Sequence, residues 1–327
     1  LKDRVGSVLD YGAKGDGVTD DATAIQAAID SNEGGTLIMP PGTYRIHSTI
    51  YYGNIRWIFE EGAKLYVDVD GAWSTKGSSS LKNSHAILSK SSDTVNYSIS
   101  NTLIDFINFT ADFDKQTDAA GNPQFSLCLE NTSGYLSGRI TTIATAYIAN
   151  PLDVRNANSN LIIENFVGDN SACTYTAGGT WIRNLDTSNE SYNITIRNCE
   201  FKTGTNDEAL AIFTANGTDA ILRAVRVTNV NCYNLVTGRC FGVLNNNRVD
   251  FDRFNVVVDG VKGYSENLVA NYPVFKFISG NNVKVSNCTA LITDGVATAS
   301  AAWGFKGETY GSPAWPDRDL TTLVNCT

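Results

Sequence analysis

A six-residue phrase, apolar-x-apolar-x-Asn-apolar, recurs through this 327-residue chain and limits its fold more than any other feature. Copies run Leu161 to Phe166, Ile194 to Cys199, Val225 to Val230, Val256 to Val261 and Val283 to Cys288, and a last one ends at Asn325-Cys326. Their fifth positions, Asn165, Asn198, Asn229, Gly260, Asn287 and Asn325, are 33, 31, 31, 27 and 38 residues apart. This spacing fits one solenoid coil per copy, with loops of variable size between copies. Period-two alternation turns Ile194 and Ile196 inward and Thr195 and Arg197 outward, and the phase is the same in each copy. The apolar positions therefore stack as a core column. The asparagines form a second column in which each amide can bond the next coil. An earlier copy, Ile104 to Phe109, leaves room for one coil before Asn165. Leucine-rich and propeller repeats are excluded because their Leu-x-x-Leu-x-Leu and Trp-Asp signatures are missing. The predicted fold is all-β: a right-handed single-stranded parallel β-helix over residues 51–327, continuous with a strand and helix cap at residues 1–50.

The cap reads as a strand from Val8 to Tyr11, a Gly/Asp loop from Gly12 to Asp21, a helix from Ala22 to Ser31, and a strand and turn from Leu37 to Tyr44. Ile25 and Ile29 give the helix its apolar face, Thr19, Asp20 and Asp21 offer capping oxygens, and Gly34-Gly35 ends it. A helix laid across the open end of a coil stack covers both core and unpaired backbone. Asp16, Asp20 and Asp21 lack the terminal glutamate of a calcium loop and read as turn and cap residues. The phrase Asp10-Tyr11-Gly12-Ala13-Lys14-Gly15-Asp16-Gly17, then Thr23 to Ile29, then Pro40-Pro41-Gly42-Thr43-Tyr44 closely resembles the opening of pectate-lyase-like β-helix proteins. The resemblance implies a fold shared by hydrolases, lyases and phage tailspikes.

Composition narrows the partners. A net charge of −9 with no block of Lys or Arg disfavours nucleic acid. Short, interrupted apolar runs disfavour membrane insertion, and Leu1-Lys2-Asp3-Arg4 does not read as a signal peptide. Seven cysteines without paired Cys-x-x-Cys spacing read as buried free thiols. Of these, Cys199, Cys288 and Cys326 share one column position, and only Cys288 and Cys326 are near enough to bridge. His47 and His85 are the two histidines, and both read as part of the capping region. A zinc site or histidine triad is therefore not expected, and no metal or cofactor is assigned.

The register also makes a local prediction. Asp207 lies nine residues after Asn198 and Gly238 nine after Asn229, so Asp207 to Ile212 stacks on Gly238 to Val243, with Glu208 beside Arg239. Ala211 and Gly242 face outward as the floor of a trough, and Lys276 extends their row. A carboxylate at 208 in strand phase would enter the apolar core at prohibitive cost. The turn Gly204-Thr205-Asn206 is therefore expected to carry both acids to the surface.

Residues Tyr192 to Ile212 resemble the polygalacturonase family of glycoside hydrolases, with Asn206-Asp207-Glu208-Ala209-Leu210-Ala211-Ile212 at that family's Gly-Asp-Asp-Cys-Ile-Ala-Ile strand. Departures are the absence of an aspartate from Ala177 to Trp181, Gly238-Arg239-Cys240 in place of Gly-His-Gly, and Lys276 alone in place of Arg-Ile-Lys. The resemblance implies Asp207 and Glu208 as the acid and base that glycoside cleavage requires. A desolvated Glu208 beside a solvated Asp207 would make Glu208 the acid, whereas Arg239 favours ionised Glu208 and would make Asp207 the acid, and Asp169 or Asp186 could supply a third carboxylate. Trp181 reads as an outward sugar-stacking platform one coil before Ala209, ahead of Tyr175, Trp303, Tyr310 and Trp315. Arg183, Arg239 and Lys276 are the candidate substrate-binding cations.

The expected function is endo-hydrolysis of a bacterial surface or extracellular polysaccharide in a groove along the coils, outside the cell or on a virion. The tailspike resemblance implies a homotrimer. Alternatives are β-elimination on a uronate polymer and non-catalytic glycan binding. A plain cross-coil ion pair between Glu208 and Arg239 competes with any site role.

Overall fold

The computed structural model describes residues 4–72, 74–76, 83–90, 101–114, 124–143, 149–156, 158–173, 179–185, 189–205, 207–214, 220–236, 239–244, 254–265, 273–278, 282–292, 303–306 and 322–327. It is an all-β parallel solenoid of about 7 turns. The phrases at 161, 194 and 225 lie in the long strands Ser159–Asn170, Ser191–Thr203 and Leu222–Asn234, and those at 256 and 283 begin in the shorter strands Phe254–Asp259 and Val283–Ser286. These strands stack in a 16-stranded sheet, the long sheet, among the described residues. After a turn, a shorter strand follows. Asn83–Ser89, Gln124–Glu130, Ala149–Arg155, Thr180–Asn184, Leu210–Thr214, Phe241–Leu244, Phe275–Ile278 and Trp303–Lys306 stack in that order in a second, short sheet. All pairing between coils is parallel among the described residues, with one antiparallel exception where Ser74–Lys76 meets Asn83–Ser89. The inward positions, including Ile163, Ile196, Val227, Val258 and Val285, are at most 1% exposed and form one continuous core.

The asparagine column has a conformational cause. Asn108, Asn165, Asn198, Asn229, Asn287 and Asn325 all have φ between 51° and 54°, and Gly260, in the same column, has φ 65°. Left-handed backbone costs an ordinary L-residue roughly 1–2 kcal/mol, and asparagine and glycine tolerate it best. The side-chain ladder is a second contribution, with Asn229 Nδ2 donating to Asn198 Oδ1 at 2.8 Å.

At the capped end the helix Ala22–Ser31 buries Ile25, Ala28 and Ile29 against the first coil. Gln26 closes the open edge of the short sheet as a neighbouring peptide would. Its Nε2 donates to Tyr51 O at 2.9 Å and its Oε1 accepts from Tyr51 N at 2.8 Å. Val8–Tyr11 is a 3₁₀ helix, not the expected strand, because Ser7 and Asp10 form a reciprocal capping box: Ser7 Oγ accepts from Leu9 N and Asp10 Oδ2 from Ser7 N. The strand is the preceding Val5–Ser7. Asp16, Asp20 and Asp21 all accept local backbone N–H bonds, from Thr19, Ala22 and Lys14 among others. All seven cysteines are free, Cys288 and Cys326 included.

Asn229→Gly should keep the left-handed turn and lose only the amide ladder, whereas Asn229→Val loses both. Thermal and urea denaturation should rank wild type, Gly and Val in that order, with the valine variant about 1–2 kcal/mol below the glycine one. Equal stability of the two variants would refute the conformational account.

Candidate active site

The predicted register is the observed one. Leu210, Ala211 and Ile212 pair with Phe241, Gly242 and Val243, and Gly242 pairs with Lys276. Trp181 pairs with Ala211, two residues beyond the partner expected from sequence, because the connection from Asn170 to Thr180 is longer than that from Thr203 to Leu210. Asp153, Trp181, Ala211, Gly242 and Lys276 thus form one column across five coils of the short sheet. Ala211 is buried yet stands apart from the apolar core, which marks this column as the outer face.

Asp207 and Glu208 occupy the turn into Leu210–Thr214, and the chain there is pinned by several bonds. Thr205 N donates to Thr203 Oγ1 at 3.2 Å, and Asp207 N to Thr205 Oγ1 at 3.4 Å. Fully buried Asn234, one coil on, donates through its amide to Asp207 O and Arg239 O, each at 2.9 Å. One side chain therefore fastens the turn bearing the acids to the turn bearing Arg239. Gly204 and Thr205 supply the expected change of direction. Asn206 and Gly238 lie outside the described residues.

Glu208 leaves the apolar core as expected, but it does not reach the surface. It is 3% exposed and lies across Gly242, where a Cβ would sit 2.9 Å from its Cγ. Its Oε1 is 3.3 Å from Lys276 Nζ. Arg239 Nη1 is nearer to Asp207, at 3.7 Å from Oδ1, so the expected Glu208–Arg239 pair is replaced by two crossed pairs. The reason is reach. The absence of a side chain at 242 lets Glu208 lie toward the lysine two coils away.

Glu208 N donates to Asp207 Oδ1 at 3.1 Å, the two carboxyl groups interact directly, and their proton affinities diverge. Asp207 is pushed well above the usual carboxylate range, first by burial, then by the Glu208 charge and the bond to it. Burial pushes Glu208 up as well, but the bond from Asp207 and the charges of Lys276 and Arg239 outweigh it and hold the group below its ordinary value. The two titrate as a coupled pair, with Asp207 the member that binds a proton more tightly.

The other predicted residues are placed differently. Arg183 is 5% exposed and forked onto Asp153, with Nε to Oδ1 at 2.8 Å and Nη2 to Oδ2 at 2.7 Å. Its guanidinium lies 4.6 Å from the centre of the Trp181 ring, so one face of that indole is already covered. Trp303 stacks on Phe275 at 4.5 Å. Asp169 belongs to the long sheet and accepts from Ser171 N and Oγ. Tyr175, Asp186, Tyr310 and Trp315 lie outside the described residues. Sequence reasoning missed a buried group on the same outer face, comprising His85, Cys128, Glu130, Asp153 and Arg155. His85 belongs to the short sheet and not to the cap.

A model of the family described as rhamnogalacturonase A/epimerase, pectate lyase-like, matches residues 5–237. The chain belongs to this family. It is a polysaccharide-active β-helix family of hydrolases, lyases and epimerases. Mannuronan C5-epimerase AlgE6 and alginate lyase 7 of Azotobacter vinelandii are each 58% identical to this chain over 43 residues, 12% of this chain and 5% of either relative. The match thus spans about a twentieth of those proteins. Among solved structures, ORF18 of Geobacillus virus E2 is similar with a TM-score of 0.55 at 18% identity, covering 94% of this chain and 62% of that one. The family 28 exopolygalacturonase of Yersinia enterocolitica is similar with a TM-score of 0.53 at 13% identity, covering 100% and 78%. Both likenesses are of fold. No helix among the described residues is long and apolar enough to cross a membrane.

The divided proton affinities have an opposite effect on stability for each acid. Asp207 titrates higher in the folded chain than unfolded, so its ionisation opposes folding. That penalty is absent below the unfolded value, near 3.9, and grows as pH rises toward the raised folded value. Asp207→Asn should therefore melt at a higher temperature than wild type in mild alkali, and the margin should close as pH falls toward the ordinary aspartate range. Lys276→Met strands the buried Glu208 charge and should cost about 3 kcal/mol at neutral pH. The folded Glu208 pKa is lowered, so the stability it contributes is present above its unfolded value and lost as pH falls through the folded one. The cost of Lys276→Met should shrink over that acid interval. Melting curves of both variants across pH provide the check, and a pH-independent margin for either would contradict the assignment.

Proposed function

We propose that this chain is an endo-acting glycoside hydrolase that cleaves a bacterial surface or extracellular polysaccharide in the groove along the outer face of the short sheet. The observation that carries this reading is the adjacent pair of acids, with Glu208 3.3 Å from Lys276 and Asp207 3.7 Å from Arg239, whose proton affinities diverge. Glycoside hydrolysis needs one carboxyl group to protonate the leaving oxygen and another to activate water or attack carbon. Asp207 donates its proton to the glycosidic oxygen as the bond to carbon breaks. Glu208 takes a proton from the water that adds to that carbon. In this reading water is the nucleophile, and in the free chain Asp207 and Glu208 interact directly. Inversion needs a gap of about 6.5–9.5 Å. Substrate therefore separates the pair, exchanging the Asp207–Glu208 bond for one to the glycosidic oxygen. The likeness to a phage protein supports a tailspike-like setting, on a virion or outside the cell, with a homotrimer as the assembly.

A second reading is β-elimination on a uronate polymer. Arg239 and Lys276 at the carboxyl pair favour it, because either cation can neutralise the uronate carboxylate, and one matched relative is named an alginate lyase.

A panel of bacterial and extracellular glycans, incubated with wild type, Asp207→Asn and Glu208→Gln, tests both readings. Hydrolysis yields new reducing ends without ultraviolet-absorbing unsaturated ends, and each substitution should lower the rate about 10²–10⁴-fold. The wild-type rate should fall in alkali as Asp207 loses its proton and in acid as Glu208 gains one. Unsaturated ends would select the lyase. Unchanged rates in both variants would remove the pair from the chemistry, and glycan binding without cleavage would leave a non-catalytic binder.

A further inference from the structure

Two coils before the carboxyl pair, the outer face of the short sheet carries a second polar cluster. Cys128 and Asp153 are register partners on adjacent strands, as are Asp153 and Trp181. Leu127 and Leu129 point into the core, whereas Cys128 between them stands outside it and is still 0% exposed. His85 comes from the strand before Cys128, and its Nε2 lies 3.7 Å from Asp153 Oδ2. The imidazole, the thiol and one carboxylate oxygen all lie within 4.8 Å of one another, and all three residues are 0% exposed.

We propose that His85, Cys128 and Asp153 form a binding site for a zinc-class divalent transition metal. The donor set decides the class. Thiolate with imidazole and carboxylate suits zinc and its cobalt or nickel surrogates, while calcium and magnesium prefer oxygen throughout. Arg183 occupies one lone pair on each Asp153 oxygen. A carboxylate offers about four such positions, so the cation can bind on the remaining side while Arg183 fixes the ligand from behind. Glu130 and Asp153 balance Arg155 and Arg183 in this cluster. The metal replaces the Cys128 proton, which leaves as H⁺, so binding adds one net positive charge. Three donors leave one tetrahedral position for water. Since the ligands come from three successive coils of the short sheet, the ion acts as a clasp across the stack. This site does not depend on the reaction proposed above.

The test uses the full chain stripped by chelator and titrated with Co(II). Wild type should bind one equivalent, with a thiolate-to-cobalt charge-transfer band and tetrahedral d–d absorption, and Zn(II) should displace the cobalt and raise the melting temperature. Cys128→Ser should lose the charge-transfer band and bind about 100-fold more weakly, while Cys240→Ser, a buried thiol elsewhere, should match wild type. Should Cys128→Ser fail to fold, His85→Gln must weaken cobalt binding by a similar factor. Absence of stoichiometric binding by wild type overturns the proposal. So does a charge-transfer band that survives Cys128→Ser, or wild-type affinity in His85→Gln.

Discussion

The left-handed backbone at the fifth position of each repeat is the constraint on which the rest of the molecule depends. It bends the strands that carry the phrase at the same point, so the arms before and after the bend stay in phase from coil to coil, whereas Thr132–Thr142 lacks it and shifts register between Leu136 and Gly138. Phase matters because side chains alternate strictly across a strand. A slip of one residue would turn Ala211, Gly242 and Lys276 into the core and bring Leu210, Phe241 and Phe275 to the surface. Asparagine and glycine are thus placed by local sterics, and the geometry of a site tens of residues away in sequence follows from that placement. Gly260 makes the point: it lacks any amide to join a ladder, yet it holds the same conformation as its asparagine neighbours in the column.

Electrostatics at the site follow from how little room the fold leaves for charge. Glu208 is buried on the outer face and cannot draw on bulk water, so its ionised form is supported by Lys276, Arg239 and the Asp207 proton together. Two negative charges could not share that space. One acid therefore keeps its proton, and the cations decide which. Glu208 has the closer lysine, at 3.3 Å, whereas Arg239 stands 3.7 Å from Asp207, which is also the more solvent-exposed acid. An acid whose folded pKa is raised weakens the fold whenever it ionises, a stability cost of the kind that functional sites carry.

Much of this was legible in the sequence because local rules and the coil register agree. The helix at 22–31, the free thiols, the pairing of 210–212 with 241–243 and the place of Lys276 all follow from periodicity and turn chemistry. The departures arise where a single side chain decides. A capping box turned 8–11 into a 3₁₀ helix, and the missing Cβ at 242 redirected Glu208 from Arg239 to Lys276. The His85–Cys128–Asp153 cluster was hidden for another reason. The asparagine phrase that fixes register is clear only from residue 161 onward, and 85, 128 and 153 lie before it in coils whose lengths no repeated residue marks. Arg183 was named as a cation for substrate, and the nearer claim on it is Asp153. A carboxylate two residues before it in the paired register, Asp153 to Trp181 and Arg155 to Arg183, was the signal available.

A solenoid of this kind suits an extended polymer for a geometric reason. Coils rise about 4.8 Å each, close to the length of one sugar residue in an extended chain, so under the proposed function successive rungs of the outer column would meet successive positions along the polymer. Trp181, Ala211, Gly242 and Lys276 present an aromatic ring, two small floors and a cation in that order. The smallest side chains fall where the carboxyl pair leans in, and bulk and charge fall on either side. A side chain at 242 would meet Glu208 Cγ at 2.9 Å and press it away from Lys276, so the position of Glu208 and its ion pair depend on the same missing Cβ.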